Sequence, residues 1–150
     1  MYPVLLTTHS MMRWLVILAG IVAAVHAWRA SSWRTPARAS VAGLFFTVFF
    51  DVQLLLGLVL YFVFSPVTTV AIRHGAAAMS NDVTRFWLVE HPFGMIVALV
   101  LAHIGRAKSR RATENQGERR HAATYFTLAV LIMLVTTPWP FMAYGRPLLW

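Results

Sequence analysis

The chain has 150 residues, of which 59% are hydrophobic and only 12% charged, a balance that excludes an ordinary water-soluble domain and indicates a membrane protein. A formal net charge of +8 would suggest nucleic-acid binding in a soluble chain, but here the bases lie between apolar stretches, so no nucleic-acid partner is expected. The absence of cysteine excludes disulfides, iron–sulfur clusters and c-type haem.

Four apolar stretches are long enough to cross about 30 Å of hydrocarbon as helices, at about 1.5 Å per residue. They run from His9 to Trp28, from Val41 to Phe64, from Phe86 to Ile104 and from Ala122 to Tyr144. What remains is too short for a separate soluble domain. The sequence therefore predicts one all-α domain over residues 1–150, an integral membrane four-helix bundle in contact with lipid.

The loops between the spans predict the orientation. The first loop, Arg29 to Ser40, has three arginines and no acid, and the third, Gly105 to His121, has six bases against two glutamates. Because cytoplasmic loops carry the excess of Lys and Arg, both loops are expected in the cytoplasm. This places the N- and C-termini on the non-cytoplasmic side of a membrane expected to be the bacterial inner membrane.

Two local patterns refine the elements. The stretch VTTVAIRHGAAAM predicts a short helix between the second and third spans, with Asn81 or Asp82 as the N-cap of the third span. Near the end of the fourth span, Pro138 and Pro140 predict a kinked or frayed helix, because neither residue can donate a helical hydrogen bond.

Several ionisable and amide side chains fall inside the spans, where a charged residue at mid-helix costs roughly 2.5–3.5 kcal/mol on insertion. Each of these residues needs a partner or a purpose. The first and third spans run in the same direction, which predicts one cluster near the outer surface and a second pair of histidines toward the cytoplasm. The residues concerned are His9, Arg13, Glu90 and His91 in the outer cluster, His26 and His103 in the inner pair, and Asp51 and Gln53 on the second span.

The two histidine pairs suggest a non-covalent b-type haem, which two imidazoles on opposite sides of a bundle can hold. One haem is favoured over two, because the histidines on each helix point roughly 100° to 120° apart. His9 and His91 are the predicted ligands of the haem iron or of another metal, with His26 and His103 less favoured.

Neighbouring residues are assigned around this haem. Arg13, one turn from His9, is expected to hold a haem propionate or to pair with Glu90, either at the cofactor or as a structural ion pair. Met95 is expected to pack on the porphyrin face or, less favourably, to serve as an axial ligand. Asp51 is either a proton-relay group together with Gln53 or a buried neutral partner of that amide or of a neighbouring helix.

Short motifs in all four spans resemble a group of small four-span bacterial membrane proteins labelled cytochrome b-like. The motifs are HSMMRW, DVQLLLGLVLYF, FWLVEHPFGM, HIGR and PWPF. The resemblance implies the membrane bundle and a b-type haem. It also implies a functional cluster made of His9, Arg13, Gln53, Glu90 and His91.

The leading hypothesis is a b-type haem electron-transfer protein or subunit, with a quinol or a redox protein as partner and an uncertain status as an enzyme. The first alternative is a non-catalytic accessory subunit of a larger membrane complex or a homo-oligomer. The second is a metal or proton pathway through His9, His91 and Asp51. No nucleophile with its base, phosphate-binding glycine loop or carboxylate-rich di-metal pattern is present, so a hydrolase or transferase is not expected.

Overall fold

The structure of the protein is a computed structural model. It describes the backbone of residues 1–32, 36–112 and 116–148 and the side chains of residues 1–29, 41–112 and 117–148. Within these ranges every regular element is helical and there is no strand, which confirms the all-α prediction.

The regular elements are six α-helices and three short segments of other helical types. The α-helices are α1 (Tyr2–Ser32), α2 (Pro36–Val59), α3 (Pro66–His74), α4 (Asp82–Arg85), α5 (His91–Arg111) and α6 (Gln116–Val135). The other segments are the π-helical turns Leu60–Phe64 and Phe86–Glu90 and the 3-10 segment Gly75–Ser80. The predicted helix between the second and third spans is confirmed as α3, and Asn81 is the N-cap that precedes α4.

The four long helices contact one another in a ring. Helix α1 packs on α2 and α6, and α5 packs on the same two helices, so α1 and α5 occupy opposite corners. Because neighbouring helices are antiparallel, two ends can be defined. The cavity end holds His9, Gly57, His91 and Thr136, and the basic end holds the last turns of α1 and α5 and the first turn of α6.

Three helical stretches of the described chain are long and apolar enough to cross a membrane: Tyr2–Arg29, Val41–Phe64 and Asp82–Arg111. They correspond to the first three predicted spans and indicate a membrane protein. Helix α6 does not meet that criterion, because it opens with the charged residues Glu118, Arg119 and Arg120. It also ends at Val135, short of the predicted limit at Tyr144, so the chain leaves the helix before Pro138.

The basic end is filled by aromatic side chains. Phe126 of α6 is fully buried and lies 6.0 Å, centroid to centroid, from Phe46 of α2. Glycines make room for it: a Cβ added at Gly43 would lie 2.7 Å from the Phe126 ring, and one at Gly105 would lie 2.9 Å from it. No other residue type fits at these two positions unless the ring moves, so this half is densely packed.

Small residues on α5 bring it close to α6. Gly94, Ala98, Ala102 and Gly105 recur every three or four residues and are all buried. A Cβ at Gly94 would meet the Thr136 side chain. These small side chains therefore allow α5 to lie close to α6 and to the residue that follows it.

Candidate ligand site

A cavity of about 110 Å³ lies at the cavity end, with residues of α1 and α5 on its opposite sides and residues of α2 and the post-α6 segment between them. Its lining is mostly apolar, and no acidic residue contributes to it in the described part of the chain. The polar and sulfur-containing side chains that line it include His9, Arg13, Gln53, His91, Met95 and Arg146. Five of the predicted site residues are thus brought together around one space.

His9 is held by an amide from α2. The Gln53 side-chain nitrogen donates to the His9 carbonyl oxygen at 3.0 Å and lies 3.3 Å from His9 Nε2. A carbonyl can only accept, so this contact fixes which end of the amide faces His9. Nε2 then accepts a hydrogen from the same NH₂ group, and the neutral ring carries its proton on Nδ1. Gly57 permits this approach, since a Cβ there would lie 3.1 Å from His9 Cε1.

His91 is oriented by the backbone of the neighbouring helix. Its Nδ1 lies 2.8 Å from the carbonyl oxygen of Thr136, which requires Nδ1 to carry the proton and donate it. The lone pair is therefore on Nε2. The rings of Phe86 and Trp87 pack beside the imidazole, with centroids 5.8 and 5.5 Å away, and restrict its rotation.

Arg13 is buried, with 8% of its surface exposed, and it reaches the far end of the chain. Its Nη2 donates to the Leu148 carbonyl oxygen at 2.7 Å, and the Trp14 indole N–H donates to the same oxygen at 2.9 Å. A dipole rather than a carboxylate thus faces the guanidinium, whose charge remains without an anionic partner among the described residues.

Three buried polar atoms at this site have no hydrogen-bond partner among the described residues: His9 Nδ1, Arg13 Nε and Gln53 Oε1. A buried group without a partner costs about 1–3 kcal/mol, and native proteins rarely leave several together. Two of these atoms carry protons and one accepts. The arrangement therefore suits a ligand that brings both acceptors and donors.

Both π-helical turns adjoin the cavity. Leu60 and Tyr61, from the first turn, and Trp87, from the second, are among its lining residues. Pro92 has no N–H, so the preceding turn lacks one helical donor. The Tyr61 hydroxyl donates to the Leu88 carbonyl oxygen at 3.0 Å and satisfies an acceptor in that turn. π turns are often found at functional sites.

The segment after α6 closes the cavity end. The Arg146 guanidinium lies 5.1 Å from the centroid of the Trp87 ring, and Tyr144 stacks on Phe86 with centroids 3.6 Å apart. The backbone N–H of Arg146 donates to the Pro138 carbonyl oxygen at 3.1 Å and closes the loop between these two residues. The predicted frayed end of the fourth span is therefore a folded cap.

The predicted pairing of Arg13 with Glu90 is wrong. Glu90 bonds to Arg85 at 2.8 Å and is not a lining residue of the cavity. Five residues separate the two partners, which in an α-helix would point about 140° apart. The π turn Phe86–Glu90 brings them onto one face because more residues complete each turn.

The inner histidine pair is not formed either. His103 Nε2 lies 2.9 Å from Asp51 Oδ1, across the contact between α5 and α2. Its helix does not pack on α1, which carries His26. Asp51 is also not a partner of Gln53, because the amide faces His9 while the carboxylate faces α5. The proton-relay role of Asp51 and Gln53 stays a prediction.

The two histidines and the volume of the cavity can be compared with what a haem requires. His91 has the tautomer that a ligand histidine needs, with Nδ1–H on a carbonyl oxygen and Nε2 bare. His9 does not, since its Nε2 accepts from Gln53. A cavity of about 150 Å³ holds a single benzene ring, whereas a porphyrin has four pyrrole rings. The residues present therefore do not fit a haem between His9 and His91, and no group of three or more metal-ligating side chains occurs in the described ranges.

Sequence reasoning missed several contributors to the site. Thr136 and Leu148 act through backbone carbonyls, which no side-chain pattern reveals. Tyr61 reads as part of an apolar span, although its hydroxyl donates to a backbone carbonyl of the second π turn. Arg146 reads as a loop base and instead lines the cavity.

No family model, no curated protein and no solved structure matches this chain. The resemblance to cytochrome b-like proteins therefore stays a prediction.

Proposed function

We propose that this chain is a four-span integral membrane protein that binds the headgroup of a membrane-soluble quinol or quinone in the cavity. In this proposal the membrane is a bacterial inner membrane, both termini lie on its non-cytoplasmic side, and α6 forms the fourth span. The part of α6 beyond Arg120 is free of charged residues and extends about 22 Å to Val135 at 1.5 Å per residue. The cap that follows folds back over the cavity end.

Complementary hydrogen-bonding atoms around one small cavity carry the proposal. Arg13 Nε–H and His9 Nδ1–H are unused donors, and Gln53 Oε1 is an unused acceptor. His91 Nε2 adds a second lone pair. A quinol has two hydroxyl groups on opposite sides of one ring, and each hydroxyl both donates and accepts. One ligand therefore carries as many donors and acceptors as these four atoms require.

The size and lining of the cavity support a ring of this kind. About 110 Å³ approaches the space that one six-membered ring needs, while Phe50, Trp87 and Met95 provide an apolar wall. Leu6, Leu54 and Leu58 line the cavity from α1 and α2, and an isoprenoid tail suits such aliphatic side chains. Small-molecule sites typically combine an apolar wall with a few oriented polar groups.

A phosphate or carboxylate headgroup suits the site less well. Arg13 would attract an anion, but Gln53 Oε1 and the bare His91 Nε2 would face its oxygens with lone pairs. A deprotonated anion has no hydrogen to give to these acceptors. A quinol hydroxyl satisfies the acceptors, and the quinone carbonyl satisfies the donors.

Binding of decylubiquinol to the purified protein in lipid nanodiscs, measured by calorimetry, tests the proposal. Gln53→Leu keeps the volume but removes the acceptor and the NH₂ group that holds His9, so a ligand hydroxyl loses its partner and His9 loses its orientation. We expect affinity to fall about tenfold, equivalent to about 1.4 kcal/mol. Val52→Leu is the control, because Val52 is the adjacent residue of α2 and does not line the cavity.

Saturable binding that weakens in Gln53→Leu and not in Val52→Leu supports the proposal. Absence of binding, or equal affinity in the two variants, overturns it. An absorption spectrum tests the haem hypothesis on protein purified from cells supplied with haem. A Soret band with b-type alpha absorption would show that the ligand is a haem and not a quinol.

A further inference from the structure

A polar pair lies on the outer surface of the helical ring, away from the cavity. His103 of α5 and Asp51 of α2 bond at 2.9 Å, and about half of each side chain remains exposed, 49% and 45% respectively. The hydrogen bond uses one atom of each partner. The second carboxylate oxygen of Asp51 and Nδ1 of His103 remain available for another contact.

The depth of this pair makes its exposure costly. Asp51 lies about 22 Å along the helix from Pro36 and about 20 Å from Phe64, at 1.5 Å per residue, which places it near the middle of the second span. Ionisable residues at such a depth almost always face a bundle interior, a water-filled cavity or a partner. Asp51 and His103 are already partners of one another, but about half of each side chain still faces outward, so a cover other than lipid chains would remove the remaining cost.

We infer that this surface is the interface between two copies of the chain, related by a two-fold axis along the membrane normal. Such an axis makes each copy present the same patch, so a contact can form only if the patch is self-complementary. With one proton shared between Asp51 Oδ1 and His103 Nε2 and a second proton on Nδ1, the pair offers Nδ1–H as a donor beside the second carboxylate oxygen as an acceptor, and it meets this condition. Asp51 of each copy then meets His103 of the other, and four polar groups satisfy one another.

Aliphatic side chains surround the pair on the same two helices. Val48 and Leu55 lie three and four residues from Asp51, and Val100 and Ile96 lie three and seven residues from His103. All four are exposed in the monomer. A flat aliphatic patch with one central polar cluster packs against its own copy, because the polar cluster fixes the register.

The chain contains no cysteine, which allows a direct test by disulfide cross-linking in native membranes. Val100→Cys lies one turn from His103, and Leu131→Cys on α6 is a matched control on another helix, since the two native residues are 52% and 51% exposed. We expect oxidation to give covalent dimers with Val100→Cys in at least tenfold higher yield than with Leu131→Cys.

The pair itself is tested in the Val100→Cys background. Replacing both residues, Asp51→Leu with His103→Leu, should lower the dimer yield at least tenfold, while the exchange Asp51→His with His103→Asp should restore it. Unchanged thermal unfolding of the monomer in detergent shows that each variant folds. Equal cross-linking of the two single cysteines, an undiminished yield in the double leucine variant, or capture of a different protein by Val100→Cys would each overturn the inference.

Discussion

The two ends of the ring of helices are filled in different ways. At the basic end, Phe46 and Phe126 meet over glycines, and the centre is closed by aromatic carbon. At the cavity end the corresponding space is open, polar side chains from α1, α2 and α5 line it, and three atoms on α1 and α2 have no hydrogen-bond partner among the described residues. Both ends belong to the same four helices, but the cavity end also includes the two π turns and the segment after α6.

This contrast separates stability from binding. Dense packing at the basic end gains dispersion and tolerates little change. Unpaired polar atoms at the cavity end cost free energy that a ligand can recover. Substitutions at the basic end should therefore affect mainly unfolding, and substitutions at the cavity end mainly ligand affinity.

The largest effect is expected for Phe126→Ala. Removing a fully buried ring leaves a void between α2, α5 and α6, and comparable Phe→Ala changes cost about 3–5 kcal/mol. Reversible unfolding in detergent mixtures measures this loss. Phe93→Ala is the control, because 65% of the Phe93 surface is exposed and its loss creates no cavity. Similar destabilisation by both variants would show that the basic end is not the packed half.

An intermediate effect, chiefly on binding, is expected for Gly57→Leu. The new side chain meets the His9 ring, which a Cβ alone would approach to 3.1 Å, and it separates His9 from Gln53. Overpacking costs about 1–3 kcal/mol, and the better helix propensity of Leu returns up to about 1 kcal/mol. Decylubiquinol affinity should fall at least tenfold in a protein that still folds.

Gly75→Leu, outside the membrane spans, is the control for Gly57→Leu. A Cβ added at Gly75 would meet no neighbouring atom, but the φ of 54° there strains any residue other than glycine. It should lower stability without changing affinity. Retained affinity in Gly57→Leu would mean that the ligand does not use the His9 side of the cavity.

The smallest effect is expected for Glu90→Gln. The carboxylate bonds to an exposed arginine outside the cavity, so neither unfolding nor quinol affinity should change measurably. The same calorimetric titration checks this. A clear loss of affinity would restore Glu90 to the site that its sequence position predicted.

Much of the fold follows from hydropathy. Apolar length predicts the first three spans, because burying backbone in lipid requires a helix. The fourth helix is the exception: charge at Arg119 and Arg120 delays its apolar part, and the chain turns away after Val135. Hydropathy alone treats the apolar residues after Val135 as a continuing helix, whereas they fold back as a cap.

The site is predictable in position but not in its contacts. Helix direction correctly brings His9, Arg13 and His91 to one end, because α1 and α5 run in the same direction. It does not predict partners, since the π turn redirects Glu90 toward Arg85 and the acceptors for Arg13 and His91 are backbone carbonyls. The spacing of residues along the sequence predicts neither a π turn nor a hydrogen bond to a distant backbone carbonyl.

The bond between Arg13 and Leu148 joins residues 135 positions apart and bears on how the protein is made. Arg13 is synthesised 135 residues before Leu148, so its guanidinium leaves the ribosome before the carbonyl that receives it exists. During that interval the charge needs water, a headgroup or the insertion machinery as a substitute. The contact therefore forms only after α2, α5 and α6 have been synthesised, because all three lie between Arg13 and Leu148.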